Sequence, residues 1–137
     1  FVLGATSDPG AREVQQAVRA DGRTVAQAMV DDALAFESPL DTHVNSIGVV
    51  LGATLTLAEF GIDVTLPPAK PALPVLAPGF GHQGARIEDA GRTFGGLGWA
   101  LLANESRSVL SGGARGLADR VRDRSDTIAT ALTPGAN

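Results

Sequence analysis

The stretch Leu73-Pro74-Val75-Leu76-Ala77-Pro78-Gly79-Phe80-Gly81-His82-Gln83-Gly84 joins a short apolar run to a glycine-rich loop. The apolar run predicts a buried β-strand, and the glycines after it let backbone N–H groups approach an anion closely. A second pair follows, in which Trp99-Ala100-Leu101-Leu102-Ala103 precedes Asn104-Glu105-Ser106-Arg107-Ser108. Arg107 supplies a fixed positive charge and the forked donors that suit a phosphate. Two successive loops of this kind predict a phosphate-binding site.

The rest of the chain repeats the alternation of strand and helix. Apolar runs predict four strands, at residues 1–5, 47–51, 74–77 and 99–103. Periodic apolar positions predict helices at residues 13–19, 24–36, 86–94 and 116–132, with Pro39 ending the second. Met29, on the second helix, and Trp99 are expected in the core. This order predicts an α/β protein with a parallel sheet.

A short internal repeat supports construction from similar units. Leu3-Gly4-Ala5-Thr6 recurs as Leu51-Gly52-Ala53-Thr54, each copy at the end of a predicted strand. A complete (β/α)8 barrel needs eight strands and about 250 residues, so four units in 137 residues come close to half a barrel. The chain starts with Phe1 inside a predicted strand. We therefore expect further strands upstream of it.

The amino-acid composition of the chain argues against several classes of function. The net charge of -4 gives no basic field for nucleic acid, and the absence of cysteine excludes disulfides and thiolate metal sites. Only two histidines are present, so a metal site is not expected. No apolar run has the length of a membrane span. These features predict a cytoplasmic protein that binds neither membranes nor nucleic acid.

Four motifs together resemble a known family. Ala5-Thr6-Ser7-Asp8-Pro9-Gly10, Val50-Leu51-Gly52-Ala53-Thr54, Pro78-Gly79-Phe80-Gly81-His82-Gln83-Gly84 and Asn104-Glu105-Ser106-Arg107 closely resemble orotidine 5′-phosphate decarboxylase, most nearly the actinobacterial type. The motifs occur in the family's order, at four strand ends. The resemblance covers residues 1–137 as one segment, the C-terminal half of a single (β/α)8 TIM barrel (strands 5 to 8).

The resemblance implies an activity as well as a fold. The family decarboxylates orotidine 5′-monophosphate to uridine 5′-monophosphate (UMP) in pyrimidine synthesis without a cofactor, and its members commonly form homodimers. The implied reaction relies on aspartates and lysines carried by strands 2 and 3. The one lysine here, Lys70, stands in a proline-rich loop. We therefore expect no catalytic residue in this segment, which should be inactive alone.

The resemblance also implies a substrate-binding set: Ser7, Pro78, Phe80, Gly81, Gln83, Ser106 and Arg107. In these roles Ser7 hydrogen-bonds the pyrimidine ring, Gln83 bridges base and phosphate, and Arg107 pairs with the phosphate. Backbone amides of the two loops complete the phosphate cradle, and Phe80 lines the apolar pocket beside the base. The residue types alone leave Ser7 open as a helix cap. Glu105 departs from the family's usual small residue, and a carboxylate there is tolerable only if it points away from the phosphate.

Two other interpretations remain open from the sequence. One is a different phosphate-binding barrel enzyme, of the sugar-phosphate epimerase or indole-glycerol-phosphate synthase type. The other is a non-catalytic half-barrel that binds phosphate or pairs with another half to close its sheet. Preference for a sugar phosphate over UMP would favour the first, and a well-behaved monomer would count against the second.

Overall fold

A four-stranded parallel sheet with the strands in chain order organises the molecule. The structure, a computed structural model, describes residues 1–36 and 42–133, so Pro39, predicted to end the second helix, lies outside the described residues. The strands are β1 (Val2–Ala5), β2 (Val49–Leu51), β3 (Val75–Pro78) and β4 (Leu101–Asn104). The predicted α/β class and the four strands are confirmed.

Helices and single turns connect the strands. The α-helices described are α1 (Pro9–Gln15), α2 (Val25–Leu34), α3 (Ala90–Phe94), α4 (Arg107–Leu110) and α5 (Leu117–Ala131). Short 3-10 turns occupy Leu57–Phe60, Gly81–Gln83, Ile87–Asp89 and Gly95–Ala100. No helix in the described part of the chain is both long enough and apolar enough to cross a membrane.

The first helix begins earlier than the periodicity predicts. Asp8 accepts a hydrogen bond from the Gly10 N–H at 2.9 Å, and Pro9 opens the first turn. Proline suits this position because its missing N–H would have no helical partner there. The predicted helix at 13–19 is therefore wrong in its boundaries, and Asp8, not Ser7, caps α1.

The core lies between one face of the sheet and the connecting helices. Its largest fully buried side chains are Phe60, Phe94, Leu51, Val49 and Val75. Alternate residues of a strand point to opposite faces, so Val49 and Leu51 project to the same side of β2. Small residues of α2 pack on that side and let the helix approach the sheet closely, namely Ala26 and Ala33.

Two predicted core residues lie at the surface instead. Trp99 is 72% exposed, and Met29 is 39% exposed. The glycines at 95, 96 and 98 precede Trp99 in a 3-10 turn, so β4 begins only at Leu101. In α2 the buried stripe consists of alanines and Val30, and Met29 lies outside it. Both core predictions were therefore wrong.

The internal repeat is not structurally equivalent. Leu3 pairs with Val50, and after an irregularity in register Ala5 pairs with Leu51. As a result Leu3 is 64% exposed, whereas Leu51 is fully buried. The register continues from Val50 to Leu76 and Leu102, which places one apolar side chain from each strand in a row on the sheet face opposite the core.

A buried amide fixes the entry to β2. Asn45 Nδ2 donates to the Ala33 carbonyl at 3.3 Å and to the Phe36 carbonyl at 3.1 Å, and Asn45 Oδ1 accepts from the Ile47 N–H at 3.2 Å. Carbonyls at the end of a helix lack partners within the helix. Asn45 supplies those partners, so its side chain ties the end of α2 to the start of β2.

Candidate functional site

The carboxyl ends of all four strands meet at one edge of the sheet. Because the strands are parallel, the loops that follow Ala5, Leu51, Pro78 and Asn104 emerge on the same side. In open and closed parallel α/β folds, ligands bind at this edge. The structure therefore brings the four sequence motifs to one side of the molecule.

Neighbouring loops approach each other at glycines. A Cβ placed on Gly52 would lie 3.6 Å from Ser7 N, and one on Gly79 would lie 3.3 Å from Thr54 Cγ2. A Cβ on Gly81 would overlap both Ser108 Oγ and Glu105 Oε1. The approaches at Gly52 and Gly79 are ordinary or slightly tight contacts, whereas at Gly81 a side chain would not fit. This close packing forms a continuous rim along the carboxyl edge.

The glycine loop is closed by its own backbone. Gly81 N donates to the Ala85 carbonyl at 2.9 Å, and Ala85 N donates to the Gly79 carbonyl at 3.1 Å. Gly84 N donates to the Gly81 carbonyl at 2.9 Å, which closes the 3-10 turn. The Gly81 amide is therefore occupied within the loop. Gly81 contributes its left-handed φ of +68° and its lack of a side chain, rather than its own N–H.

Phe80 connects this loop to the core. It is 4% exposed, and its ring packs against Phe94 with centroids 6.3 Å apart and planes at 53°. Its neighbour Pro78 is half-buried at the end of β3, and the Pro78 carbonyl accepts from Ala53 N at 2.8 Å. The Phe80 ring therefore lies within the core of this chain, and both residues act here as the base of the loop.

Gln83, Ser106 and Arg107 stand at the surface on adjoining segments. All three are exposed, and the helix that begins at Arg107 packs against the Gly81–Gln83 turn. Within residues 1–36 and 42–133, no carboxylate forms an ion pair with the Arg107 guanidinium. The long amide side chain of Gln83 and the exposed guanidinium of Arg107 lie at one edge of the sheet and are suited to a phosphorylated ligand.

Glu105 turns away from solvent. Its side chain is 5% exposed, and Oε1 accepts from Ser108 Oγ at 2.5 Å and pairs with Arg124 Nε at 3.3 Å. Oε2 is buried and makes no hydrogen bond within the described residues. This buried network was missed by sequence analysis, which took Glu105 only as a departure from a pattern. The charge of Glu105 is compensated by Arg124 on α5.

Ser7 lies at the opposite end of the row of loops. It is exposed after β1, beside Thr6, whose N–H donates to Gln15 Oε1 at 3.0 Å. Gln15 Nε2 in turn donates to Thr6 Oγ1 at 3.1 Å, so this buried amide clamps the first loop to α1. The Thr6 hydroxyl is thus engaged with Gln15, whereas the Ser7 side chain is exposed at the tip of the loop.

The lysine and the possible metal ligands of the described residues do not add to the cluster formed by Gln83, Ser106 and Arg107. Lys70 is exposed in the segment before β3, at the amino end of that strand and across the sheet from the four loops. Across the two described stretches of chain, no group of three or more His, Asp or Glu side chains is arranged to hold a metal ion. His82 is exposed within the glycine loop.

Parallel βα units with polar and charged side chains in the loops at their carboxyl ends define part of an α/β barrel. Comparison with known proteins gives the particular resemblance. The chain is 40% identical over 126 residues to an orotidine 5′-phosphate decarboxylase of Salinispora tropica, covering 88% of this chain and 43% of that protein. With the Streptomyces coelicolor orotidine 5′-phosphate decarboxylase it shares 41% identity over 114 residues, covering 82% and 38%. No family model matches the chain.

Solved structures give the same result. A Streptomyces avermitilis structure assigned as an orotidine 5′-phosphate decarboxylase superposes with a TM-score of 0.78 at 36% identity, covering 96% of this chain and 45% of that one. Leishmania donovani UMP synthase superposes with a TM-score of 0.63 at 27% identity, covering 95% and 28%. The resemblance and the partial TIM barrel are confirmed. The chain spans about two fifths of the length of the curated relatives it matches.

Proposed function

We propose that this chain supplies the base and phosphate contacts of an orotidine 5′-phosphate decarboxylase. The observation that carries the proposal is the similarity along nearly the whole chain to proteins of that name. The proposed reaction converts orotidine 5′-monophosphate to UMP without a cofactor. The parent protein is accordingly a lyase, which we place in the cytoplasm and expect to act as a homodimer.

In this proposal the chain corresponds to the C-terminal half of the barrel. Arg107 pairs with the phosphate dianion, Gln83 spans phosphate and base, and Ser7 contacts the pyrimidine ring. Backbone around Gly81 and Ser106 shapes the cradle, while Pro78 and the buried Phe80 hold the glycine loop in place. The Arg107 guanidinium is exposed and pairs with no carboxylate among the described residues, which supports its role because a bidentate arginine suits a phosphate.

The separation of ligand binding from proton transfer has a physical basis. Contacts to a phosphate far from the reacting carbon can lower the barrier when their energy is used to close loops and to orient the ring. Lys70 lies at the other end of β3, where it would not reach a ligand held by the loops. We therefore assign proton transfer to residues of the parent protein outside this segment.

A titration of the full-length gene product tests the proposal. Calorimetry with UMP, uridine and ribulose 5-phosphate should give the tightest binding for UMP, because only UMP presents both base and phosphate. Conversion of orotidine 5′-monophosphate to UMP should be detected in the same preparation. Equal affinity for UMP and uridine would contradict the phosphate role of Arg107. Preference for the sugar phosphate would favour a different barrel enzyme.

A further inference from the structure

Glu105 joins the two loops assigned to phosphate. Its Oε1 accepts from Ser108 Oγ, one residue beyond Arg107, at 2.5 Å. The same pair of polar atoms lies directly against Gly81, where any Cβ would overlap them. A shift of the Glu105 carboxylate would therefore move the turn that carries Gln83 and the turn that carries Arg107 together.

Helix α5 contacts Glu105 and the segment that follows it. Arg124 Nε pairs with Glu105 Oε1 at 3.3 Å, and Arg120, one helical turn earlier, donates from Nε to the Val109 carbonyl at 2.7 Å. Arg120 Nη1 also donates to the Arg115 carbonyl at 2.8 Å. Residues four apart lie on one face of a helix. Two arginines on one face of α5 thus hold the region around Arg107, since Arg124 pairs with Glu105 before it and Arg120 binds carbonyls after it.

The burial of Glu105 is poorly suited to a role in stability alone. Its side chain is 5% exposed, and Oε2 finds no hydrogen-bond donor among the described residues. A buried carboxylate oxygen without a donor costs stability, and a buried ion pair is often no better than an apolar replacement. Because the Glu105–Arg124 pair adds little net stability, the geometry that it imposes on the loops is the better explanation for it.

We propose that Glu105 and Arg124 are positioning residues that fix the Arg107 turn against the glycine loop in phosphate-binding geometry. The inference rests on the proposed function, because it assigns Arg107 to the phosphate. Glu105 touches no ligand in this scheme. It acts through Ser108 and Gly81, and the energy it contributes should be seen only with ligands that carry the phosphate.

The test compares UMP with uridine as ligands of the full-length gene product. Glu105→Ala and Arg124→Ala should each weaken UMP binding about tenfold, because small misplacement of a binding group is costly. Uridine binding should stay unchanged. Glu105→Gln, which keeps an oxygen for Ser108, should restore most of the UMP affinity. The control is Arg122→Ala on the same helix, whose guanidinium pairs with Asp119 at 2.8 Å in solvent.

The possible outcomes separate the two proposals. If the wild-type protein fails to prefer UMP over uridine, the proposed function fails first. If wild type prefers UMP and both Glu105→Ala and Arg124→Ala keep that preference, the positioning role is overturned. Arg124 is 43% exposed in its side chain, so its variant is expected to fold even where Glu105→Ala does not. Loss of UMP and uridine binding in equal proportion would also overturn the role.

Discussion

The rings of Phe80 and Phe94 pack at 6.3 Å between centroids, which joins the start of the glycine loop to the last residue of α3. Phe94 is fully buried, and Phe80 precedes the first residue of the 3-10 turn. Aromatic pairs in this tilted arrangement add to the stabilisation from burial alone. The conformation of the loop is therefore coupled to the core beneath it.

Phe94→Ala should lower the free energy of unfolding by about 3–5 kcal/mol, because it removes a buried ring and leaves a cavity. Denaturant unfolding measures the change. Trp99→Ala is the matched control, since it removes an aromatic ring that is mostly exposed, and should shift stability by no more than about 0.5 kcal/mol. A large loss in the control with a small loss for Phe94 would contradict the assignment of the core.

Arg107→Ala in the full-length gene product should weaken UMP binding by about 1.5–3 kcal/mol, the range for hydrogen bonds to charged groups. Uridine affinity should be unaffected, because uridine lacks the phosphate. Arg115→Ala removes an equal charge a few residues away and should leave both affinities nearly unchanged. If both arginine variants weaken UMP binding equally, general electrostatic attraction rather than a specific contact is responsible.

Gly81→Ala should destabilise the protein more than Gly84→Ala does. Both glycines have positive φ, +68° and +104°, so each alanine carries a backbone cost of about 1–2 kcal/mol. Only at Gly81 would the new methyl overlap Ser108 and Glu105, which adds an overpacking cost of about 1–3 kcal/mol. Urea unfolding of the two variants gives the difference. Equal losses would mean that the loops adjust to the methyl group.

Arg23 lowers the pKa of Asp21 below its ordinary value of 3.8, chiefly through side-chain hydrogen bonds from Nη2 at 2.9 Å and Nε at 3.2 Å. A lowered pKa in the folded state stabilises the fold above the unfolded pKa, and this contribution is lost as pH falls through the folded pKa. The Asp21 carboxyl should titrate below 3.8 by NMR. In Arg23→Ala the midpoint should return upward, and an unchanged midpoint would exclude Arg23 as the cause.

The four strands could be predicted because buried parallel strands are short apolar runs that end in turn residues. The four motifs lie at one edge of the sheet because the strands are parallel, so this arrangement could also be predicted from the sequence. Trp99 was misplaced because a glycine-rich 3-10 turn resembles the start of a strand by composition. The Glu105–Arg124 pair was missed because it joins a loop to a helix, and no periodicity marks such contacts.

Parallel pairing also has a consequence for the order of assembly. The β1–β2 pairing encloses the longest stretch of chain of the three strand pairings, whereas β2–β3 and β3–β4 enclose shorter ones. Closing a longer loop costs more entropy before any contact offsets it. We expect amides of β2 to β4 to gain protection in pulsed hydrogen exchange before those of β1. Folding would then start at the segment that carries the glycine and arginine loops, and Ser7 would join them last.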